Sequence, residues 1–132
     1  LPFEPLPSES QIRHLQDIVD AIDRMRQFTD GMRLETFEAD ERTRLAVERL
    51  LKILTEAASR LGREASSLCP EVNWRDVRGF GNFLRHEYDQ VLGKSVWATI
   101  QEDSPPLLLA VEKTLQRRLV APGKATLLER GP

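Results

Sequence analysis

The sequence predicts an all-α protein, an antiparallel up-and-down four-helix bundle with one or two short extra helices. Three observations predict it. Apolar residues recur at three- and four-residue spacing through four long segments, the period of a helix with one buried side. No segment shows the strict alternation of a half-buried strand. Cap residues, prolines and glycines fall between the periodic segments, leaving short connections of the kind that join antiparallel neighbours.

The elements follow in order. The stretch "LPFEPLP" holds three prolines and reads as an extended arm over residues 1–7. Ser8, with Gln11 three positions on, forms a capping box. Leu15, Ile18, Ile22 and Met25 then mark a helix near 9–28, with Gly31 as its stop. "RLETFEAD" adds a short turn of helix before Asp40. From there the longest periodic run, through Val47, Leu50, Leu51, Leu54, Ala58 and Leu61, predicts a helix from about 41 to 68, roughly 40 Å long. Pro70 disfavours helix at Cys69, and Asn73 caps a helix over 74–89. "SVWATIQED" gives a minor fifth helix near 94–102. Ser104 reads as a cap, with Pro105 in the proline-tolerant first position of a last helix near 104–119. "APGKATLLERGP" reads as a tail over 121–132, so the helical domain spans 8–120.

Composition narrows the function. At 132 residues the chain suffices for one domain with a core, not for two ordinary ones. It is 40% hydrophobic, 30% charged and only 6% aromatic, which suits a soluble helical protein. Nineteen Lys and Arg against 21 Asp and Glu give a net charge of −2, so any polyanion site must be a local basic patch. Cys69 is the only cysteine, which rules out an internal disulfide and suits the reducing cytoplasm, where the protein is expected to reside. The longest apolar run, "LLLAV", falls far short of the roughly 20 residues a membrane span needs, so no membrane is expected as a partner. The first ten residues lack a charged-then-apolar signal pattern. His14 has no metal-spaced neighbour, and no metal or other cofactor is expected.

The most unusual segment is "VRGFGNFLRHEYDQV", residues 77–91. Two glycines inside a helix cost roughly 1 kcal/mol each against alanine, so something other than helix stability keeps them there. Trp74, Val77, Gly81, Leu84, Tyr88 and Val91 share one stripe, the buried face, where Gly81 would let another backbone come close. Gly79 lies off the stripe. Arg78, Asn82, Arg85, His86 and Asp89 fall on the other side. His86 and Tyr88 would point nearly opposite ways on a straight helix, and face one site only if the helix distorts or a second chain contributes its copy. Stacked arginines beside Asn82 and His86 present fork-shaped donors for phosphate oxygens and a group that moves a proton near neutral pH. Such a set suits metal-independent RNA cleavage by in-line attack of a 2′-hydroxyl. The bland alternative is a solvated helix face with i, i+4 charge pairing.

At these residues the sequence resembles the HepT-like family of HEPN-domain proteins. The resemblance rests on "NWRDVRGFGNFLRHEYDQV", the following Val96–Trp97 pair and "DSPPLL" from Asp103. It extends through "AVERLLKILTEAASRL" and "IVDAIDRMRQFTDGM", covering about residues 12–116. It implies a small helical bundle that dimerises, with higher heteromeric assembly left open. The resemblance also implies the toxin of a type II toxin–antitoxin pair, encoded beside a minimal nucleotidyltransferase antitoxin. Its members resemble metal-independent endoribonucleases whose Arg and His meet in a cleft between protomers, and whose tyrosine the antitoxin modifies with AMP. Carried over, the histidine is His86 and the tyrosine Tyr88, with Asn82 and Asp89 in support. The arginine departs from the pattern. Five positions before His86 stands Gly81, where the common form of the motif has arginine. Arg78 lies eight positions before His86 and Arg85 is its neighbour, so each is a candidate guanidinium at other than the signature spacing. The alternative is a catalytically inactive partner of the nucleotidyltransferase that keeps only the fold.

The remaining candidates have plainer readings. Tyr88 is either a core tyrosine or the modified residue; Glu56 either faces His86 or is a surface carboxylate. Cys69 reads as a small apolar residue at a helix end, and Trp74 and Trp97 as packing residues. Arg117 and Arg118 form a solvated last turn or extend an RNA track.

Overall fold

The computed structural model describes the backbone of residues 6–86 and 89–119, and their side chains apart from residues 85, 86, 89–92, 118 and 119. The helices are α1 (Glu9–Thr29), α2 (Leu34–Ala39), α3 (Glu41–Leu61), α4 (Glu64–Leu68), α5 (Trp74–His86), α6 (Asp89–Ala98) and α7 (Ser104–Leu119), with a π turn at Thr99–Asp103. No strand occurs among the described residues. The all-α bundle expected from periodicity is the observed fold. The expected tail over 121–132, and most of the arm, lie outside the described residues.

Caps set the helix starts. Ser8 Oγ accepts from the Gln11 backbone N–H at 3.1 Å, and Gln11 Oε1 accepts from the Ser8 N–H at 2.8 Å. This is the predicted capping box. Asp40 caps α3 by accepting from the backbone N–H and the hydroxyl of Thr43, at 3.1 and 2.8 Å. Asn73 accepts from the Asp76 N–H at 3.2 Å, as expected for the start of α5.

Antiparallel packing follows from a few contacts. Gln11 Nε2 donates to Glu64 Oε1 at 2.7 Å, bringing the start of α1 to the end of α3. Leu15, Ile18, Ile22 and Met25 of α1 meet Val47, Leu51, Leu54 and Ala58 of α3 in the core, with Val111 of α7. Each such buried side chain contributes about 1.5–3 kcal/mol before its ordering cost. Thr114 Oγ1 and Arg117 Nη2 of α7 both donate to the Leu68 carbonyl, at 3.3 and 2.7 Å. At the opposite end α2 packs on α6, with the Phe37 and Trp97 rings 5.3 Å apart. Trp74 opens α5 near α4, donating from Nε1 to the Cys69 carbonyl at 3.0 Å. Its chain successor α6 lies beside α2. Hence α5 runs back along α3, and its last turn approaches the first half of α3.

Two boundaries differ from expectation. The segment 41–68 is not one helix: Gly62 takes φ +66° and ends α3 at Leu61, before the short α4. Only glycine adopts that conformation cheaply, and α3 is therefore about 31 Å long. The second difference is at Ser104, which is no cap. Its φ of −71° and ψ of −35° are helical, its N–H bonds to the Thr99 carbonyl, and its hydroxyl donates back to the Ile100 carbonyl at 2.7 Å. The expected helices near 94–102 and 104–119 are thus parts of one rod over 89–119, interrupted by the π turn. Pro105 and Pro106 account for the interruption, because neither can donate an N–H to the preceding turn.

Candidate functional site

The candidate residues lie on α5 and just beyond it. Arg78 is half-buried on that helix, with Nη1 buried and without a hydrogen-bond partner among the described residues. Asn82, one turn on, is exposed. Arg85 and His86 are the last two residues of α5 and Asp89 is the first of α6. Their side chains, and Tyr88 altogether, lie outside the described residues. Because α5 is continuous from Trp74 to His86, positions 78, 82 and 85 fall at i, i+4 and i+7 along one side. The backbone therefore keeps Arg78 and Arg85 two turns apart on the same side, as the sequence suggests.

The other side of α5 is built for packing. Trp74 and Gly81 are buried, and Val77 and Leu84 are half-buried. A Cβ placed on Gly81 would lie 3.1 Å from Thr55 Oγ1 and 3.2 Å from Thr55 Cβ. The glycine therefore admits the Thr55 side chain of α3, rather than a second backbone. Any side chain at this position requires Thr55 to give way by a few tenths of an ångström. Gly79 is exposed, with nothing within 4 Å of an added Cβ, so packing inside the chain does not explain it.

The direction of α5 brings two residues into consideration that sequence reasoning missed. Arg44 and Glu48 are half-buried in the first half of α3, the end toward which the last turn of α5 runs. Burial raises the Glu48 carboxyl above its ordinary value, partly opposed by the Arg44 charge. Arg44 Nε is buried without a hydrogen-bond partner among the described residues. Their signal is the i, i+4, i+11 spacing of Arg44, Glu48 and Thr55, readable only once Thr55 is known to face α5. Glu56 is exposed, which fits the surface reading rather than a partner for His86.

Other groups are poor candidates for chemistry. Cys69 is fully buried, and burial is the main cause of its raised thiol pKa, so it stays protonated and unreactive. Trp74 is buried and Trp97 half-buried against Phe37, as packing residues. Arg117 anchors α7 to Leu68 rather than standing in a solvated turn. Among the described residues, no three His, Cys, Asp or Glu side chains gather to hold a metal ion, and no helix is long and apolar enough to cross a membrane.

Comparison with known proteins agrees on one family. The model of the HepT-like family, described as ribonuclease HepT-like, matches residues 18–114. The chain is 35% identical over 100 residues to a probable ribonuclease HepT of Thermococcus cleftensis, covering 76% of this chain and 91% of that protein. It is 25% identical over 111 residues to a putative RNase of Methanocaldococcus jannaschii, covering 84% and 92%. A putative RNase of Caldanaerobacter subterraneus is 29% identical over 104 residues, covering 79% and 93%. No solved structure gives a significant match. With a family match running from α1 into α7 on a helical bundle of the expected kind, this chain belongs to the HepT-like ribonuclease family.

Proposed function

We propose that this chain is the toxin of a type II toxin–antitoxin pair, a homodimeric, metal-independent endoribonuclease of the cytoplasm. The observation that carries the reading is the family match over residues 18–114, which spans the His86-x-Tyr88 pair on and just after α5. In the proposed reaction His86 takes the proton of a 2′-hydroxyl and the 2′ oxygen attacks the adjacent phosphorus. A guanidinium holds the non-bridging oxygens as charge builds, and the bond to the 5′ oxygen breaks as that oxygen regains a proton. The products are a 2′,3′-cyclic phosphate and a 5′-hydroxyl, and no metal takes part. Arg78 is the guanidinium put first, because its side chain is half-buried on α5 with Nη1 unpartnered among the described residues and so free to hold a phosphate oxygen. Arg85 is its alternative, Asn82 and Asp89 support the site, and Tyr88 is where the nucleotidyltransferase antitoxin adds AMP. The working unit is one helical domain over 8–120, with 1–7 and 121–132 as arm and tail.

The contact of Gly81 with Thr55 favours a second reading, in which catalysis has been lost and the fold survives as a partner of the nucleotidyltransferase. One set of measurements separates them. In the first reading the purified protein runs at about twice 15.1 kDa and cleaves RNA in the presence of a chelator. His86→Ala and Arg78→Ala then each lower the rate by about 10²–10⁴ without changing the fold. Uncleaved RNA with tight binding to the nucleotidyltransferase would establish the second reading instead. Rates unmoved by both Arg78→Ala and Arg85→Ala would remove the arginine assignment.

A further inference from the structure

On the opposite side of α5 from Arg78 lies a groove of about 530 Å³. It exists because α5 packs on α3 and α7 packs on α1, while α5 and α7 have no substantial contact with each other. Buried Leu51, Leu54 and Ala110 form its floor, and half-buried Val77, Phe80 and Leu107 its apolar walls. Its rim is acidic. Asp76 of α5 and Glu102 and Asp103 of the π turn are exposed there, and none forms an ion pair with another described residue.

We propose that this groove is the docking site of a basic amphipathic helix from a protein partner. Its apolar side chains would seat between Val77, Phe80 and Leu107, and its Lys and Arg would meet Asp76, Glu102 and Asp103. A gap left between two helices on top of a third is shaped for a further helix, and its apolar walls supply the anchoring contacts. Carboxylates without ion-pair partners among the described residues provide charge complementarity to a cationic segment and repel RNA. At 100° per residue the groove face of α5 lies roughly 150–170° around the helix from Arg78 and Asn82, so the occupant does not compete for that side.

The test uses a short helical peptide of leucine and lysine with the leucines on one face, together with its leucine–glutamate counterpart. The lysine peptide is expected to bind the full chain and to shift the methyl NMR signals of Leu51, Leu54, Val77 and Leu107. The pair Glu102→Lys and Asp103→Lys, both at exposed positions, is expected to weaken that binding by about tenfold or more and to admit the glutamate peptide. The pair Asp17→Lys and Asp23→Lys, an equal charge change on the exposed face of α1, is expected to leave it unchanged. Equal weakening by both pairs would reduce the effect to net charge and overturn the proposal, as would no binding or shifts confined to other residues. Loss of self-association in the Glu102 and Asp103 variant without peptide would make the occupant a second copy, and the same methyl shifts with spermidine or a short RNA would assign it to those ligands. Either outcome also overturns the proposal.

Discussion

Gly79 and Gly81 are two residues apart on one helix and should respond oppositely to alanine. Nothing lies within 4 Å of an added Cβ at Gly79, so Gly79→Ala should gain the full difference in helix propensity, about 1 kcal/mol, read as a higher urea midpoint. At Gly81 the same gain is offset by contacts of 3.1 and 3.2 Å with Thr55, whose own helix holds it in place. Overpacking costs typically about 1–3 kcal/mol, so Gly81→Ala should leave stability at or below wild type. Two carboxylates should likewise give opposite pH signatures. Burial raises the pKa of Glu48 above its ordinary 4.5, so the folded state holds that proton more tightly than the unfolded chain. Its contribution is intact in acid and is lost as pH rises through the folded pKa. Glu48→Gln should therefore raise Tm at neutral pH, with the difference closing below the unfolded value. Hydrogen bonds from the Thr43 backbone N–H and hydroxyl lower the pKa of Asp40, so its contribution is present above its ordinary 3.8 and lost as pH falls through the folded pKa. Asp40→Ala should lower Tm at neutral pH and converge with wild type in acid. The stripe containing Gly81 was legible from spacing, whereas its partner Thr55 was not, because helix period fixes a residue's face and not what lies across from it.

Among the helices, those starting from a capping side chain were read correctly and those shaped by backbone were not. Ser8 and Asn73 each hold the predicted N–H, and Asp40, read only as the start of the long helix, holds one as well. The apolar spacing of Leu61, Ala65 and Leu68 carries on past Gly62, so period alone cannot reveal that a positive φ divides α3 from α4. Ser104 shows the same limit: Ser followed by Pro is a helix-start pattern, yet here the prolines sit inside a continuous rod. The two roles predict different mutants. Aspartate replaces serine well at a cap, where alanine costs about 0.5–2 kcal/mol. At Ser104, only 2% exposed and donating to a carbonyl, Ser104→Asp should be worse than Ser104→Ala, because it sets a buried carboxylate against an acceptor. Urea unfolding of both variants, beside Ser8→Asp and Ser8→Ala, checks this. A better-tolerated Asp at 104 would restore the cap.

For the molecule as a whole, α5 has two unlike sides: one carries Arg78 and Asn82, the other an apolar wall under an acidic rim. The first side was legible in the sequence because its residues are consecutive turns of one helix. The groove was not, because its walls come from α5 and from the rod beyond residue 89, which meet only in the folded chain. The π turn couples these regions in a further way. It holds one residue more than the α-helical turn it replaces. Its wider winding absorbs that residue, so the turn brings the chain round much as one α-helical turn would, and α6 and α7 keep their facing. Deleting Gln101 should therefore cost less than deleting Glu112, an exposed residue of regular α7, where nothing absorbs the loss and the two parts turn by about 100° against each other. The expected result is the larger fall in Tm and the larger change in near-ultraviolet dichroism for the Glu112 deletion. The π turn is thus slack in the rod, a place where chain length can change by one with less consequence than in the helix on either side.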